Sequence, residues 1–144
     1  DAGRKQDDLR DLDVVLNPDF GAGCATSIRT ALTRVRADAE GVVLLLGDQP
    51  GVTVDTIDAL VAGAGDHAVG VCAYDDGLGH PLWFHRTMFD TLSGLHGDKA
   101  VWKLVDVGDE TGDDPGYDVA RVRVAGSIPL DVDTWDNYRT LVAE

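Results

Sequence analysis

Four short stretches of the chain carry side chains able to do chemistry, and Asp48 heads the first. It sits in Gly47-Asp48-Gln49-Pro50-Gly51, directly after the apolar run from Val42 to Leu46. A hard divalent cation such as magnesium takes one or two carboxylates and completes its shell with water and phosphate oxygens. Gly47 lets backbone and ligand approach, and Pro50 stiffens the turn. The second stretch is Asp131-Val132-Asp133-Thr134, just before the last apolar-periodic segment. In an extended segment alternate side chains share a side, so Asp131 and Asp133 point together and Val132 points away. The plainer readings are an Asp48 that only shapes a turn, and Asp133 or Thr134 as a helix cap.

In the third stretch, Asn17-Pro18 leads into Gly21-Ala22-Gly23, and Thr26-Ser27 opens a helical pattern. Small residues, free backbone donors and a helix N-terminus are what a nucleotide's polar edge or phosphate uses. An ordinary strand-to-helix turn reads the same way. The fourth is Gly79-His80-Pro81, a histidine fixed between Gly and Pro at a strand entrance; the alternative is a purely structural histidine. His67, His80, His85 and His96 lack the paired spacing of a metal motif, and Cys24 and Cys72 alone cannot make a four-ligand zinc site. The apolar neighbours of both cysteines fit small core residues in a reducing compartment.

The elements that must position these residues follow from periodicity. Asp13 to Leu16 reads as a short strand ending at the turn opener Asn17-Pro18, and Ile28, Ala31, Leu32 and Val35 recur at helical spacing. Val42 to Leu46 is continuously apolar, as expected of a strand buried on both faces in the centre of a parallel sheet. Thr53 caps a helix carrying Ile57, Leu60 and Val61, and Ala68 to Tyr74 is a second apolar strand, ended by the turn Asp75-Asp76-Gly77. Leu82-Trp83-Phe84 reads as a strand edge, followed by short helical patterns around Met88–Leu95 and Asp98–Val105. A solvated Asp- and Gly-rich loop at 106–118, a half-exposed strand from Val119 to Val124 and an amphipathic helix with Trp135, Tyr138, Leu141 and Val142 complete the chain. This alternation predicts an α/β sandwich with a mostly parallel sheet. Ligands of such sheets bind at the carboxyl ends of the strands, which puts loops 17–27 and 47–51 on one rim.

With 144 residues and no internal repeat or linker, the chain reads as one domain, 1–144. Its formal charge of −14 comes from acids that are nearly all Asp, against bases with only Lys5, Lys99 and Lys103 as lysines. Such a surface fits a salt-accumulating host, with cationic partners as the second explanation, and argues against a nucleic-acid ligand. No apolar run approaches the ~18–20 residues of a membrane span, and the start Asp-Ala-Gly-Arg-Lys-Gln-Asp-Asp is too polar for a signal peptide. A soluble, cytoplasmic protein is expected.

In order, Val-Val-Leu-Asn-Pro (14–18), the Gly-rich loop, Thr-Ser-Ile-Arg (26–29), Leu-Leu-Leu-Gly-Asp-Gln-Pro (44–50), Gly-His-Pro-Leu-Trp-Phe (79–84), Gly-Asp-Lys (97–99) and Asp-Val-Asp-Thr (131–134) resemble the MobA-like NTP transferase family over residues 13–142. The pairing of Gly-Asp-Gln-Pro with Gly-His-Pro is similar to its molybdenum-cofactor cytidylyltransferase branch. The resemblance implies a Rossmann-like three-layer α/β/α nucleotidyltransferase fold with a mostly parallel central sheet. It implies Asp48 and Asp133 as catalytic Mg2+ ligands with Asp131 as a third candidate. Asn17, Gly23 and Ser27 would lie near the base or ribose, and His80 and Pro81 would line the acceptor pocket. The implied reaction is attack by the phosphate of molybdopterin on the α-phosphate of CTP, releasing pyrophosphate, with a molybdoenzyme as a further partner. GTP, another phosphate acceptor, or a non-catalytic nucleotide- or pterin-binding accessory role are the alternatives; no Gly-x-Gly-x-x-Gly turn supports a dinucleotide oxidoreductase. The family's Gly-rich triphosphate loop and its strand have no counterpart, so the chain is expected to begin after them. Trp135 stands where the family usually has Pro, and Ala100-Val101-Trp102 where it tends to continue Gly-Ala-Arg.

Overall fold

The computed structural model describes residues 12–97, 101–106 and 115–143. Four strands, β1 (Gly41–Leu44), β2 (Val69–Tyr74), β3 (Gly77–His85) and β4 (Val119–Arg123), form one sheet in the order β1-β3-β2-β4. Pairing is mixed: β3 runs antiparallel to both β1 and β2, and β2 pairs parallel with β4. The expected mostly parallel sheet is corrected here at the level of neighbours. The cause is the two-residue turn at Asp75-Asp76, since so short a connection can only join antiparallel strands. Leu82-Trp83-Phe84, expected at an edge, therefore lies on a strand paired on both sides. β1 is half-buried and pairs only with β3 among the described residues, not in the sheet centre as its apolar run predicts. Asp13 to Leu16 forms no strand, and Val14 and Leu16 stay exposed.

β1, β2 and β4 still point the same way, because β3 reverses direction between β1 and β2. Their carboxyl ends, together with the start of β3, share one rim.

Helices cover both faces. On one side α1 (Cys24–Leu32), α3 (Phe89–Ser93) and α4 (Trp102–Val105) bring Ile28, Leu92 and Leu104 against Val69, Val71, Leu82 and Phe84. On the other, α2 (Val54–Ala64) sets Leu60 and Ala64 against Cys72, Tyr74, Trp83 and Val124. The faces alternate along β2, as strand geometry requires. Full burial of side chains such as Leu60 and Phe84 stabilises by roughly 1.5–3 kcal/mol each. α2 starts at Thr53, whose hydroxyl accepts from the Thr56 amide at 3.2 Å, as the sequence predicts. It sits close to the sheet because Gly70 has no Cβ; one there would lie 2.4 Å from the Ala64 Cβ.

The helical pattern expected over Asp98–Val105 is described only from residue 101, and Asp98 and Lys99 lie outside the described residues, as does most of the 106–118 loop. The last helix, α5 (Trp135–Val142), forms as expected but has no buried residue. No helix among the described residues is long and apolar enough to cross a membrane.

Candidate active site

The two acidic loops meet on the shared rim. The Val132 amide donates to the Asp48 carbonyl at 2.8 Å, joining positions more than eighty residues apart. Beside this bond the Gln49 amide nitrogen donates to Asp131 Oδ1 at 2.7 Å and to the Pro129 carbonyl at 3.4 Å. Asp48 and Asp131 are exposed, whereas Gln49 is buried and its Oε1 has no partner. Leaving a buried acceptor unpaired costs about 1–3 kcal/mol.

Asp133 lies two residues on and lines a hollow of about 370 Å³ with Trp135 and Tyr138, whose rings meet edge to face. The residue that caps α5 is Thr134: its hydroxyl accepts from the Asn137 amide at 3.1 Å, and the Asn137 side chain accepts from the Thr134 amide at 3.0 Å. Capping therefore makes no demand on the Asp133 carboxylate. Asp131 is the member of the pair whose carboxylate engages the Asp48 loop.

His80 comes to the same rim through an irregularity in β3. Pairing with β2 jumps from Val71↔Leu82 to Cys72↔Gly79, so His80 and Pro81 have no partners on β2. Pro81, with no amide proton, suits a position outside the ladder. Such a bulge re-aims its side chains. The Tyr74 hydroxyl donates to the His80 carbonyl at 2.6 Å, and Trp102 of α4 meets the imidazole edge to face at 5.2 Å. Burial, and secondarily the Cys72 thiol, pushes the Tyr74 hydroxyl up to about 12, which keeps it a donor. Burial of His80 lowers its pKa below the ordinary value of 6.5, against the opposing pull of Asp131 and then Asp48. The imidazole thus senses both carboxylates.

Loop 17–27 is braced by Asn17. Its side-chain nitrogen donates to Thr26 Oγ1 and Ser27 Oγ, both at 2.9 Å, and its oxygen accepts from the Asp19 amide. Gly23 turns the chain into α1 with φ 107°, in the region that favours glycine. Asn17 and Gly23 shape the loop, while Ser27 lines a cleft of about 720 Å³ with Ile28, Leu45, Leu46, His80 and Trp102. That volume suits a small organic ligand. A second hollow of about 500 Å³ is lined by residues of the same loop together with Arg29 and His96. Sequence reasoning missed Gln49 and Trp102 as site residues. Gln49 was visible inside the Gly-Asp-Gln-Pro motif; Trp102 carried no such signal.

A small donor set is what a phosphate-bound cation needs. Among the described residues no group of three or more His, Cys, Asp or Glu could hold a metal by itself. Two carboxylate loops tied together on an open rim instead fit a hard cation that completes its shell from water and substrate.

Sheet and helices make an α/β domain with two acidic loops on one rim. The chain belongs to the MobA-like NTP transferase domain family, which matches residues 2–113. It is 32% identical over 100 residues to the purine catabolism protein PucB of Bacillus subtilis (strain 168), covering 69% of this chain and 46% of that protein. The crystal structure of Rv0371c from Mycobacterium tuberculosis H37Rv is similar at 47% identity and TM-score 0.71, over 83% of this chain and 60% of that one. Its homologue from Mycobacterium sp. strain JC1 is 46% identical with TM-score 0.70, over 91% of this chain and 60% of that one. A complex of the M. tuberculosis protein with manganese is similar at 41% identity and TM-score 0.75, over 99% of this chain and 73% of that one. The chain thus spans about half of PucB and three-fifths of the first two mycobacterial structures.

Proposed function

We propose that the chain works in a Mg-dependent nucleotidyltransferase that transfers a nucleoside monophosphate, CMP from CTP, to the phosphate of the molybdenum-cofactor pterin and releases pyrophosphate. The observation that carries this reading is the 2.8 Å bond from the Val132 amide to the Asp48 carbonyl, which holds two carboxylate loops together at the strand ends. Asp48 and Asp131 would hold the cation, with Asp133 nearby on the same loop rather than as a third ligand; when bound the cation offsets the negative charge of the triphosphate. The manganese complex of a mycobacterial relative supports a divalent cation in this family.

Transfer between phosphates is mostly positioning and charge stabilisation, so no protein nucleophile is required. Ser27 offers a hydroxyl to the nucleotide in the cleft, and the Asn17-braced loop fixes it there. Leu45, Leu46 and Trp102 keep that cleft apolar and limit water. His80, buried and held neutral at pH 7, offers a hydrogen bond to the acceptor without adding charge, and Pro81 fixes its backbone. A molybdoenzyme receiving the product, a cytoplasmic location and a salt-accumulating host belong to the same reading.

Pyrophosphate release by the purified protein, with pterin and each of CTP, GTP and ATP, tests it. CTP should be preferred. Asp48→Asn and Asp131→Asn should each lower turnover about 100-fold or more, as loss of charge stabilisation does, while the circular dichroism spectrum stays unchanged. Normal turnover in both variants would sink the reading, and a preference for GTP would move the base assignment.

A further inference from the structure

Gln49 is buried, yet one half of its amide is used and the other is not. Its nitrogen faces two acceptors, Asp131 Oδ1 at 2.7 Å and the Pro129 carbonyl at 3.4 Å. The reverse orientation would set oxygen against oxygen twice, so these acceptors fix the amide and leave Oε1 unpaired. Its main chain is held as well: the Gln49 amide donates to the Leu46 carbonyl and the Gln49 carbonyl accepts from Val52, both at 3.3 Å. An apolar side chain of equal length would fill the same space without an orphan acceptor, so packing alone does not account for an amide here.

Asp131, by contrast, is exposed, and an exposed carboxylate with no tie turns freely among its rotamers. The short bond from Gln49 takes up Oδ1, and among the described residues Oδ2 accepts no hydrogen bond. The main-chain bond between Val132 and Asp48 sits on the same pair of loops, so the two loops are linked once through the backbone and once through Gln49. We propose that Gln49 is a positioning residue that sets the Asp131 carboxylate toward Asp48, so that the two bind a divalent cation as a prearranged pair. This rests on the reading that Asp48 and Asp131 hold the cation. Partners that orient a ligating carboxylate typically change metal affinity by about 10–100-fold when removed.

Mn2+ is the probe, followed through the free-ion electron paramagnetic resonance signal in titrations of the purified protein without nucleotide. Gln49→Met keeps length and burial but removes the donor. It should weaken Mn2+ binding about 10-fold or more with an unchanged circular dichroism spectrum. Because the effect acts through Asp131, adding Gln49→Met to Asp131→Asn should change affinity by no more than about twofold, as coupled sites do. Wild-type affinity in Gln49→Met, or an equal loss in both backgrounds, overturns the proposal. If Gln49→Met does not fold, Gln49→Asn, one methylene too short to reach Asp131, serves in its place with the same expectations. Asp48→Asn separates the two levels. If it leaves Mn2+ binding intact, the cation reading itself falls; if it abolishes binding while Gln49→Met does not weaken it, only the role of Gln49 falls.

Discussion

His80 loses more by burial than it regains from the carboxylates of Asp131 and Asp48, so its folded pKa lies below the ordinary 6.5. Above 6.5 the ring is neutral in both states and contributes no pH dependence. As pH falls below 6.5 the unfolded chain takes up the proton first, and stability is lost until the folded pKa is passed. In metal-free protein the His80 ring protons, followed by nuclear magnetic resonance, should titrate below 6.5. The unfolding midpoint should drop between neutral and mildly acidic pH by more in wild type than in His80→Gln. A ring that titrates above 6.5 would mean the carboxylates outweigh burial. At this scale the residues of the candidate site that meet on the rim were legible, because carboxylates after an apolar strand and a histidine between Gly and Pro are unusual enough to notice. The roles of Gln49 and Trp102 were not. Gln49 acts through a contact 82 residues away, and Trp102 through an edge-to-face contact with the His80 ring on β3; local pattern holds neither.

Elements were read well where their signals are local and poorly where partners decide. Thr53 and Thr134 both cap helices through a hydroxyl bonded to a backbone amide, yet the same substitution should act differently at each. Thr53→Ala removes the cap of α2, which buries Leu60 and Ala64, and should lower global stability by about 1 kcal/mol in urea unfolding. Thr134→Ala removes the cap of α5, which buries nothing, so it should speed amide exchange in that helix and barely move the urea midpoint. Equal losses of global stability would show that α5 is coupled to the core. Gly70→Ala probes the sheet-to-helix approach: a methyl 2.4 Å from the Ala64 Cβ forces α2 outward and should cost about 1–3 kcal/mol. The strand order escaped the sequence for a related reason. A continuously apolar run marks burial but not the neighbour that supplies it, so Val42 to Leu46 reads as central while β1 pairs only with β3 among the described residues. Conversely β3 pairs antiparallel with β2 because of a two-residue turn, and that turn was legible although its consequence for the sheet was not.

On the whole molecule, 26 acids face 12 lysines and arginines, so the acids outnumber these bases by fourteen. Salt then acts in two opposed ways. It weakens ion pairs, and it screens the repulsion among the unmatched acids. The Arg–Asp pairs on the described surface, such as Arg36–Asp38 and Arg123–Asp75, have both side chains more than half exposed. Exposed pairs of this kind contribute about 0–1 kcal/mol each, and there is little in them for salt to remove. Repulsion from a net charge of −14 is shared by the entire domain and is relieved as the screening length falls from ~10 Å at 0.1 M to ~3 Å at 1 M. Relief should win. The thermal midpoint should therefore rise by at least ~5 °C from low to molar KCl, on the order of 1–2 kcal/mol for a domain of this size. Glycine betaine at matched osmolality does not screen charge and should reproduce only a small part of the rise. A midpoint that is flat or falls with KCl would show that the unmatched acids are spaced too widely to repel, and the salt-accumulating host would lose its support. An equal rise in betaine would assign the effect to solvent exclusion rather than to charge.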